Sequence, residues 1–278
     1  FPKKCPSCGS KTIKEFNNVT KRKDAVRRCA SEGYKCEKIA IEKIKHFVSK
    51  DAFNIDGFGK KIVENFWKLN LIKLPQDIFR LDFKKIEKLE GWGKQSMENL
   101  KYSINQRKSI SLERLIYSLG IRHIGIENAK ILSKYFKSFS RFISFSNKQS
   151  LNDILNIDGI GETQLKSVNN FFNNEVNLNI LEELQKVLII RNATNKDKNG
   201  LLKEKTFMVT GKLNGISRAE AKSLIEENSG TSVSTVSKKL NYLIIGEKPT
   251  KRKVDMAKEL EITILNQSQF LKMLNISS

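Results

Sequence analysis

Residues 54–66, NIDGFGKKIVENF, decide how the chain is read. Gly57 and Gly59 flank one apolar residue, and Lys60 and Lys61 open an apolar helical pattern carried by Ile62, Val63 and Phe66. Glycines permit a turn with positive φ and let another backbone come close. A helix starting there offers N–H groups without intrahelical partners, at the positive end of its dipole. Together these features make a seat for a phosphate. The turn recurs in GWGKQSMENL (Gly91, Gly93, Lys94), in HIGIENAKIL (His123, Gly125) and in GIGETQLKSV (Gly159, Gly161). The second glycines stand at 59, 93, 125 and 161, so they are spaced 34, 32 and 36 residues apart. A repeat of that period is one helix–turn–helix unit used again.

Apolar periodicity predicts helices over 40–50, 77–81, 128–136 and 164–172, and the segments 83–89, 112–119 and 151–157 lead into the second, third and fourth turns. His46 lies beside the apolar face of the first helix, where a packed role is the plain expectation. The block spanning 40–192 is read as all-helical. Residues 191–200, RNATNKDKNG, are polar and without period, and a linker is placed at 193–202. The pattern then changes. Strands are predicted at 206–210, 233–236, 242–245 and 262–265. Helices follow Ser217, with Glu220 at the capping-box position, and cover 254–260 and 267–274. The order βαββαβα packs as a small parallel sheet covered by helices.

The chain has 278 residues and a formal net charge of +21, which points to a polyanionic partner. The charge is uneven: residues 1–50 carry 14 basic and 5 acidic side chains (+9), residues 51–110 net +4, 111–194 net +2 and 195–278 net +6. No run of apolar residues is long enough for a membrane span, and FPKKCPSCGS has no apolar signal core. Without a starting methionine, Phe1 reads as an internal residue of a longer chain or the product of truncation.

All four cysteines fall near the N-terminus. Cys5 and Cys8 form a C-x2-C pair, and Cys29 and Cys36 a looser pair with six residues between them. Thiolates are soft ligands, and a four-sulfur tetrahedral site suits structural zinc. Lys3, Lys4, Arg27, Arg28 and Lys35 would help keep the sulfurs deprotonated. Two disulfides and a redox C-x2-C centre are the other readings. A closed four-cysteine site has no open coordination position and is assigned no catalysis.

These features stand in one order: the cysteines, HFVSKDAFNIDGFGKKIVENF, LGIRHIGIENAKIL, NIDGIGETQLKSV, and a terminal module opening FMVTGKL. That order resembles the C-terminal half of bacterial NAD-dependent DNA ligase, and the resemblance covers essentially the whole chain. It implies a multidomain, mainly α architecture. A small four-cysteine zinc finger would occupy 1–39 and an all-α helix-hairpin-helix block of four motifs 40–192. After the linker, an α/β BRCT-like domain with a parallel sheet would occupy 203–278. The chain departs from the family pattern in several places. The second cysteine pair is wider than expected. His123 stands where the other turns have their first glycine. In the last module Ser229 and Glu261 replace glycines, and Thr250-Lys251 replaces a glycine-serine helix start. The adenylating lysine of the family lies in a Lys-x-Asp-Gly motif. Here Asn54 and Asn156 occupy the lysine position of the two similar stretches, and no such motif is present.

The resemblance implies a chain that holds nicked double-stranded DNA during replication and repair and does not ligate alone. Adenylation and oligonucleotide-binding barrel domains of the same ligase would be its partners, in a monomer located in the bacterial cytoplasm at the nucleoid. Zinc would be its own ion; NAD and magnesium would belong to the full-length ligase and not to this chain. The DNA contacts expected are Gly57, Gly59, Lys60, Lys61, Gly91, Gly93, Lys94, Arg122, His123, Gly125, Gly159 and Gly161, with Glu162 marking the fourth turn as a candidate structural one. Trp92 is expected to pack inward. Two other functions fit the same modules: a stand-alone DNA-repair scaffold, and a phosphopeptide-binding adaptor acting through Thr210 and Gly211.

Overall fold

Short apolar patches and tight turns build the N-terminal segment. In a computed structural model of the chain, which describes residues 2–14, 16–17, 21–31, 33–145, 157, 159–193 and 200–276, β1 (Thr12–Ile13) pairs antiparallel with β4 (Arg28–Cys29), and β2 (Phe16–Asn17) with β3 (Arg22–Lys23). Both ribbons are two residues long, too short to stand alone in water. The chain falls into two compact units, Phe1–Ala193 and Thr194–Ser278.

The first unit is helical because its apolar residues recur three and four apart. α1 (Glu37–Val48) buries Ala40, Ile41, Ile44, Phe47 and Val48; α2 (Lys60–Lys68) buries Val63, Phe66 and Trp67. A 3-10 turn (Pro75–Arg80) and α3 (Phe83–Glu87) connect to α4 (Lys94–Gln106). Then come α5 (Leu112–Ser118), α6 (Ile126–Phe136), α7 (Phe139–Ser144), α8 (Glu162–Phe172) and α9 (Glu175–Val187). One continuous core runs through them all. Aromatic rings anchor it at both ends: Phe47 stacks on Phe53 at 4.2 Å, and Phe136, Phe142, Phe145 and Phe172 meet edge-on at 5.1–5.5 Å. Such pairs add directional attraction to area burial.

Several sequence expectations are corrected. The predicted helices at 128–136 and 164–172 each begin two residues earlier, directly after a glycine, because Gly125 and Gly161 are the N-caps. The short helix expected at 77–81 is the 3-10 turn Pro75–Arg80, with proline at its first position, where a missing N–H costs nothing. The helical block also contains a two-stranded parallel ribbon, β5 (Ser109–Ser111) with β6 (Ile189–Arg191). It takes in Arg191, which polarity alone assigns to a loop. The segment 151–157 lies outside the described residues except for Ile157.

In the second unit β7 (Thr206–Thr210), α10 (Arg218–Glu227), β8 (Thr231–Ser232), β9 (Tyr242–Ile245), α11 (Lys251–Glu259), β10 (Thr263–Asn266) and α12 (Gln267–Met273) follow in the expected order. The sheet is parallel throughout, in the order β10-β9-β7-β8. Alternation along β7 sends Phe207 and Val209 to the face covered by α10 and α12, and Met208 to the face covered by α11. A parallel sheet covered on both faces needs that apolar continuity. β8 is Thr231–Ser232 and not the predicted 233–236; the ladder ends with the Val233 N–H on the Phe207 carbonyl, and the chain then turns. Leu202, placed in the linker by its polar neighbours, is fully buried in this core. The Ser217–Glu220 capping box forms as read. Ser229 and Glu261, the glycine replacements, both adopt the left-handed conformation (φ +65° and +54°). No described helix is long and apolar enough to cross a membrane.

Candidate nucleic-acid interface and metal centre

The four glycine turns share one backbone geometry. In each, the residue between the glycine positions donates its N–H to the carbonyl three residues back: Phe58 to Ile55, Trp92 to Leu89, Ile124 to Ile121 and Ile160 to Ile157, at 3.0–3.2 Å. The third position of such a turn requires positive φ, and Gly57 (+79°), Gly91 (+79°), His123 (+60°) and Gly159 (+89°) provide it. His123 therefore keeps the turn that its glycine counterparts make, at the cost of a left-handed side chain. Arg122 donates to the His123 ring at 3.0 Å and Asn128 to the His123 carbonyl at 3.0 Å, which ties this turn down by side chains. Phe58, Ile124 and Ile160 are buried, whereas Gly57, Gly59, Gly91, Gly93, Gly125, Gly159 and Gly161 lie exposed on either side.

The second glycines behave differently from the first. Gly59, Gly93, Gly125 and Gly161 are the N-caps of α2, α4, α6 and α8, all with extended backbone that any residue adopts. A Cβ at Gly59, Gly93 or Gly125 would meet nothing within 4 Å. Neither conformation nor internal packing calls for glycine there. None of these four N-caps has a side-chain hydrogen bond, although α3, α7, α9, α10 and α12 are capped by Asp82, Ser138, Asn174, Ser217 and Asn266. The hairpin helices thus leave first-turn N–H groups open to solvent.

Charge sharpens the contrast. Lys60, Lys61 and Lys94 are exposed at the very start of α2 and α4, whose first turns hold no acidic residue. Cations at a helix N-terminus oppose the dipole by about 0.3–1 kcal/mol each. α6 and α8 instead carry Glu127 and Glu162. At the fourth turn φ +89° accounts for Gly159, and a Cβ there would also crowd the Ile131 side-chain end at 2.8 Å. Turns 1 and 2 share a groove of about 550 Å3 lined by Gly57, Ile62, Gly91, Trp92, Asn99 and Ser103. Trp92 forms its wall and packs on Phe66 at 5.4 Å, as expected of an inward ring.

Two buried arginines that sequence reasoning missed hold turn 1 in place. Arg107 donates to the Asn54 carbonyl at 3.1 Å, and Arg114 to the Ala52 carbonyl. For the burial of Arg114 a signal was available: it sits within the apolar run LERLIYSL, at a position that a helix must bury.

The four cysteine sulfurs lie within 4.8 Å of one another. Cys5 and Cys36 are 3.9 Å apart and Cys8 and Cys29 3.5 Å, so the thiols are free and no disulfide is formed. Four sulfurs about 2.3 Å from a central tetrahedral ion stand about 3.8 Å apart, which these distances fit. The Cys5–Gly9 turn aims the first pair: Gly9 donates to the Cys5 carbonyl at 2.9 Å, with φ +72°. Cys36, at the N-cap of α1, brings the fourth sulfur on a rigid element. Ser10, through its side chain and backbone, pulls the Cys8 thiol down to about 6. At Cys29 the Ser31 N–H acts in the same sense, but burial and the neighbouring sulfurs prevail and push it up to about 12. Sulfurs packed this closely cannot all ionise without a cation among them, so the donor set fits a soft divalent metal.

In the second unit the Thr210 hydroxyl is buried and accepts the Thr250 N–H at 3.2 Å, while Gly211 accepts Arg218 at its carbonyl. Lys251, Arg252 and Lys253 open α11 beside them, with no acidic residue in that turn.

Repeated hairpins followed along the chain by a parallel sheet of this topology define a class, a helix-hairpin-helix protein carrying a BRCT domain. Residues 114–181 match the helix-hairpin-helix motif family and residues 197–274 the BRCA1 C Terminus (BRCT) domain family. The chain is 65% identical over 277 residues to the DNA ligase of Pelagibacter ubique, covering 100% of this chain and 41% of that protein. It is 40% identical to the DNA ligase of Wolbachia pipientis wMel (99% of this chain, 41% of that protein). With the DNA ligase of Sulfurihydrogenibium azorense the identity is 38% (99% and 37%). The chain carries helix-hairpin-helix and BRCT modules, is similar over its whole length to these DNA ligases, and spans about two-fifths of the length of the relatives it matches.

Proposed function

We propose that this chain is the DNA-holding part of an NAD-dependent DNA ligase, gripping nicked duplex through the backbone N–H groups of its hairpin turns. The observation that carries this reading is the bare N-cap at Gly59, Gly93 and Gly125, where the missing side chain has no internal cause. An approaching phosphate explains it, and explains the lysines that work against the helix dipole at Lys60, Lys61 and Lys94. Such contacts hold the duplex in place without reading its sequence, which suits a protein that must accept any nick. His123, Arg122 and Gly125 form a third seat; at the fourth hairpin Gly159 packs beside Ile131 of α6, and Gly161 caps α8 with Glu162 next to it. Cys5, Cys8, Cys29 and Cys36 would bind structural zinc. NAD, magnesium and the catalytic lysine would belong to adenylation and barrel domains elsewhere in the ligase. The whole enzyme acts as a monomer in the cytoplasm, at the nucleoid. The cations at the start of α11 favour, as a second reading for the BRCT domain alone, an anionic partner such as a phosphopeptide.

A mobility-shift titration of the 278-residue chain on nicked and intact duplex tests the reading, with ligation assayed alongside. Three phosphate contacts would lower affinity about 40-fold between 50 and 200 mM salt. No ligation is expected. A salt-independent affinity, or none for nicked duplex, overturns the proposal. Deleting residues 200–278 should leave nick binding largely intact and abolish any phosphopeptide binding.

A further inference from the structure

Turn 3 has the open N-cap of turns 1 and 2 but no lysine at the helix start; its own cation is Arg122, whose Nε donates to the His123 ring at 3.0 Å. Glu127 stands in the first turn of α6, paired only loosely with Lys130 at 3.8 Å. A phosphate seated on these amides would meet a carboxylate and no lysine. Further positive charge arrives from α1, which runs past this turn. Between them lies an open cleft of about 560 Å3, lined by Lys38, Ile39, Lys43 and His46 from α1 and by Ile121 and Ile124 from turn 3. The volume is in the range of pockets that take small organic groups.

The cleft is built, not incidental. His46 donates from Nε2 to the Tyr117 carbonyl at 2.8 Å, and its ring lies 4.7 Å from that of Tyr117, so α1 is fixed to α5 at this point. Gly120 has φ +61°, and a Cβ there would come within 3.3 Å of the His46 ring, which leaves no slack in the wall. Glu42, the one carboxylate on the lining, is taken by Lys45 at 2.6 Å; Lys45 also holds Glu64 at 2.7 Å. Among the described residues neither Lys38 nor Lys43 makes an ion pair within 4 Å; Lys38 acts on Glu64 only through space, after Lys45. The Lys43 ammonium lies over the Tyr34 ring at 5.1 Å, and burial pushes its pKa below the usual lysine value. An anion beside it would offset that cost. The floor is isoleucine. A group with an anionic head and an apolar flank fits both surfaces, and a sugar-phosphate unit has both.

We infer that the cleft between α1 and turn 3 seats a sugar-phosphate unit of the DNA strand that passes turn 3, with Lys38 and Lys43 on its phosphate and Ile39, Ile121 and Ile124 under its sugar. This rests on the reading of the hairpins as DNA contacts. A free mononucleotide has the same chemistry; the DNA strand is favoured because the cleft is open and adjoins the bare N-cap of Gly125.

The test is the double variant Lys38→Gln with Lys43→Gln in the full 278-residue chain. Nicked-duplex affinity should fall about tenfold. The salt slope should shrink by about 0.9 for each phosphate that is no longer neutralised. Phosphate-ethylation interference should lose one cluster while the clusters due to turns 1 and 2 persist. Lys43→Arg with Lys38→Arg, which keeps the charges, should restore binding and guards against a folding artefact. An unchanged slope and interference pattern overturns the inference. So does a double variant that loses saturable binding of free deoxyadenosine monophosphate while keeping its DNA affinity. The Gly59→Val, Gly93→Val variant separates the two readings. If it weakens binding while the lysine variant does not, only the cleft assignment fails; if neither weakens binding, the hairpin reading fails with it.

Discussion

Valine at both Gly59 and Gly93 separates gripping from folding. Both positions have ordinary φ (−73° and −100°) and extended ψ, a conformation that β-branched residues accept readily. Nothing lies within 4 Å of the added Cβ. No capping side chain is removed, because glycine has none, and the less flexible residue narrows the unfolded ensemble. Stability should stay within about 1 kcal/mol of the parent. Affinity should not. Each isopropyl group stands where a phosphate would have to approach the first-turn N–H groups. A hydrogen bond to a charged group contributes about 1.5–3 kcal/mol. Taking the lower figure for each of two turns gives about 3 kcal/mol, or on the order of 100-fold in Kd. Fluorescence anisotropy with a labelled nicked duplex at one fixed ionic strength reads the affinity, and urea unfolding of the same samples reads the stability. A double variant that unfolds like the parent and still binds within about twofold would refute the role given to these turns. Gly57→Val is the poorer probe. At φ +79° a side chain costs about 1–2 kcal/mol in the fold itself, and binding and stability would fall together.

Three further outcomes follow from the same structure. Arg114→Ala should destabilise the first unit by about 3 kcal/mol, seen as a lower urea midpoint, since it leaves the buried Ala52 carbonyl without its donor. Chelation should release one zinc ion per chain and speed amide exchange first between Cys5 and the start of α1; metal analysis of the purified chain that finds no bound ion would overturn the zinc assignment. Lys186 and then Arg80 hold the Glu183 carboxyl below its ordinary value of 4.5, so its contribution is present above that value and is lost as the pH falls through the depressed one. The acid limb of the thermal-stability profile should therefore be flatter in Glu183→Gln, and an unchanged limb would mean that the exposed pair contributes nothing measurable.

Local sequence rules carried the turns, the cysteine cluster and the order of the second unit, because each depends on neighbours in the chain. Gly57, Phe58 and Gly59 announce a turn, Ser217 and Glu220 announce a helix start, and Cys5 with Cys8 announces a knuckle. What stayed hidden depends on distant partners. Nothing near Arg107 or Arg114 says that their partners are the carbonyls of Asn54 and Ala52, 53 and 62 residues away. Polarity hid Arg191, whose strand forms only against Ser111. At His123 residue identity misled about geometry. A histidine looked like a lost glycine, yet Arg122 and Asn128 hold its backbone in the glycine conformation. At the second glycines the sequence could not separate a conformational need from an open approach. Only the empty space around each absent Cβ does that.

The β5–β6 ribbon has a consequence for how the chain folds. Its register joins Ile110 to Ile190, so everything from α5 to α9 lies inside a loop of about 80 residues. Turns 1 and 2 lie outside that loop and can consolidate once Arg107 and Arg114 reach the carbonyls of Asn54 and Ala52, before the loop closes. Turns 3 and 4 are clasped only when the last strand meets the first, and closing so long a loop is entropically slow. On a ribosome the first pair of turns would be complete while the second pair still waited for residues 189–191 to emerge. The clasp would let the helical block fold in two stages, with the half next to the cysteine cluster first.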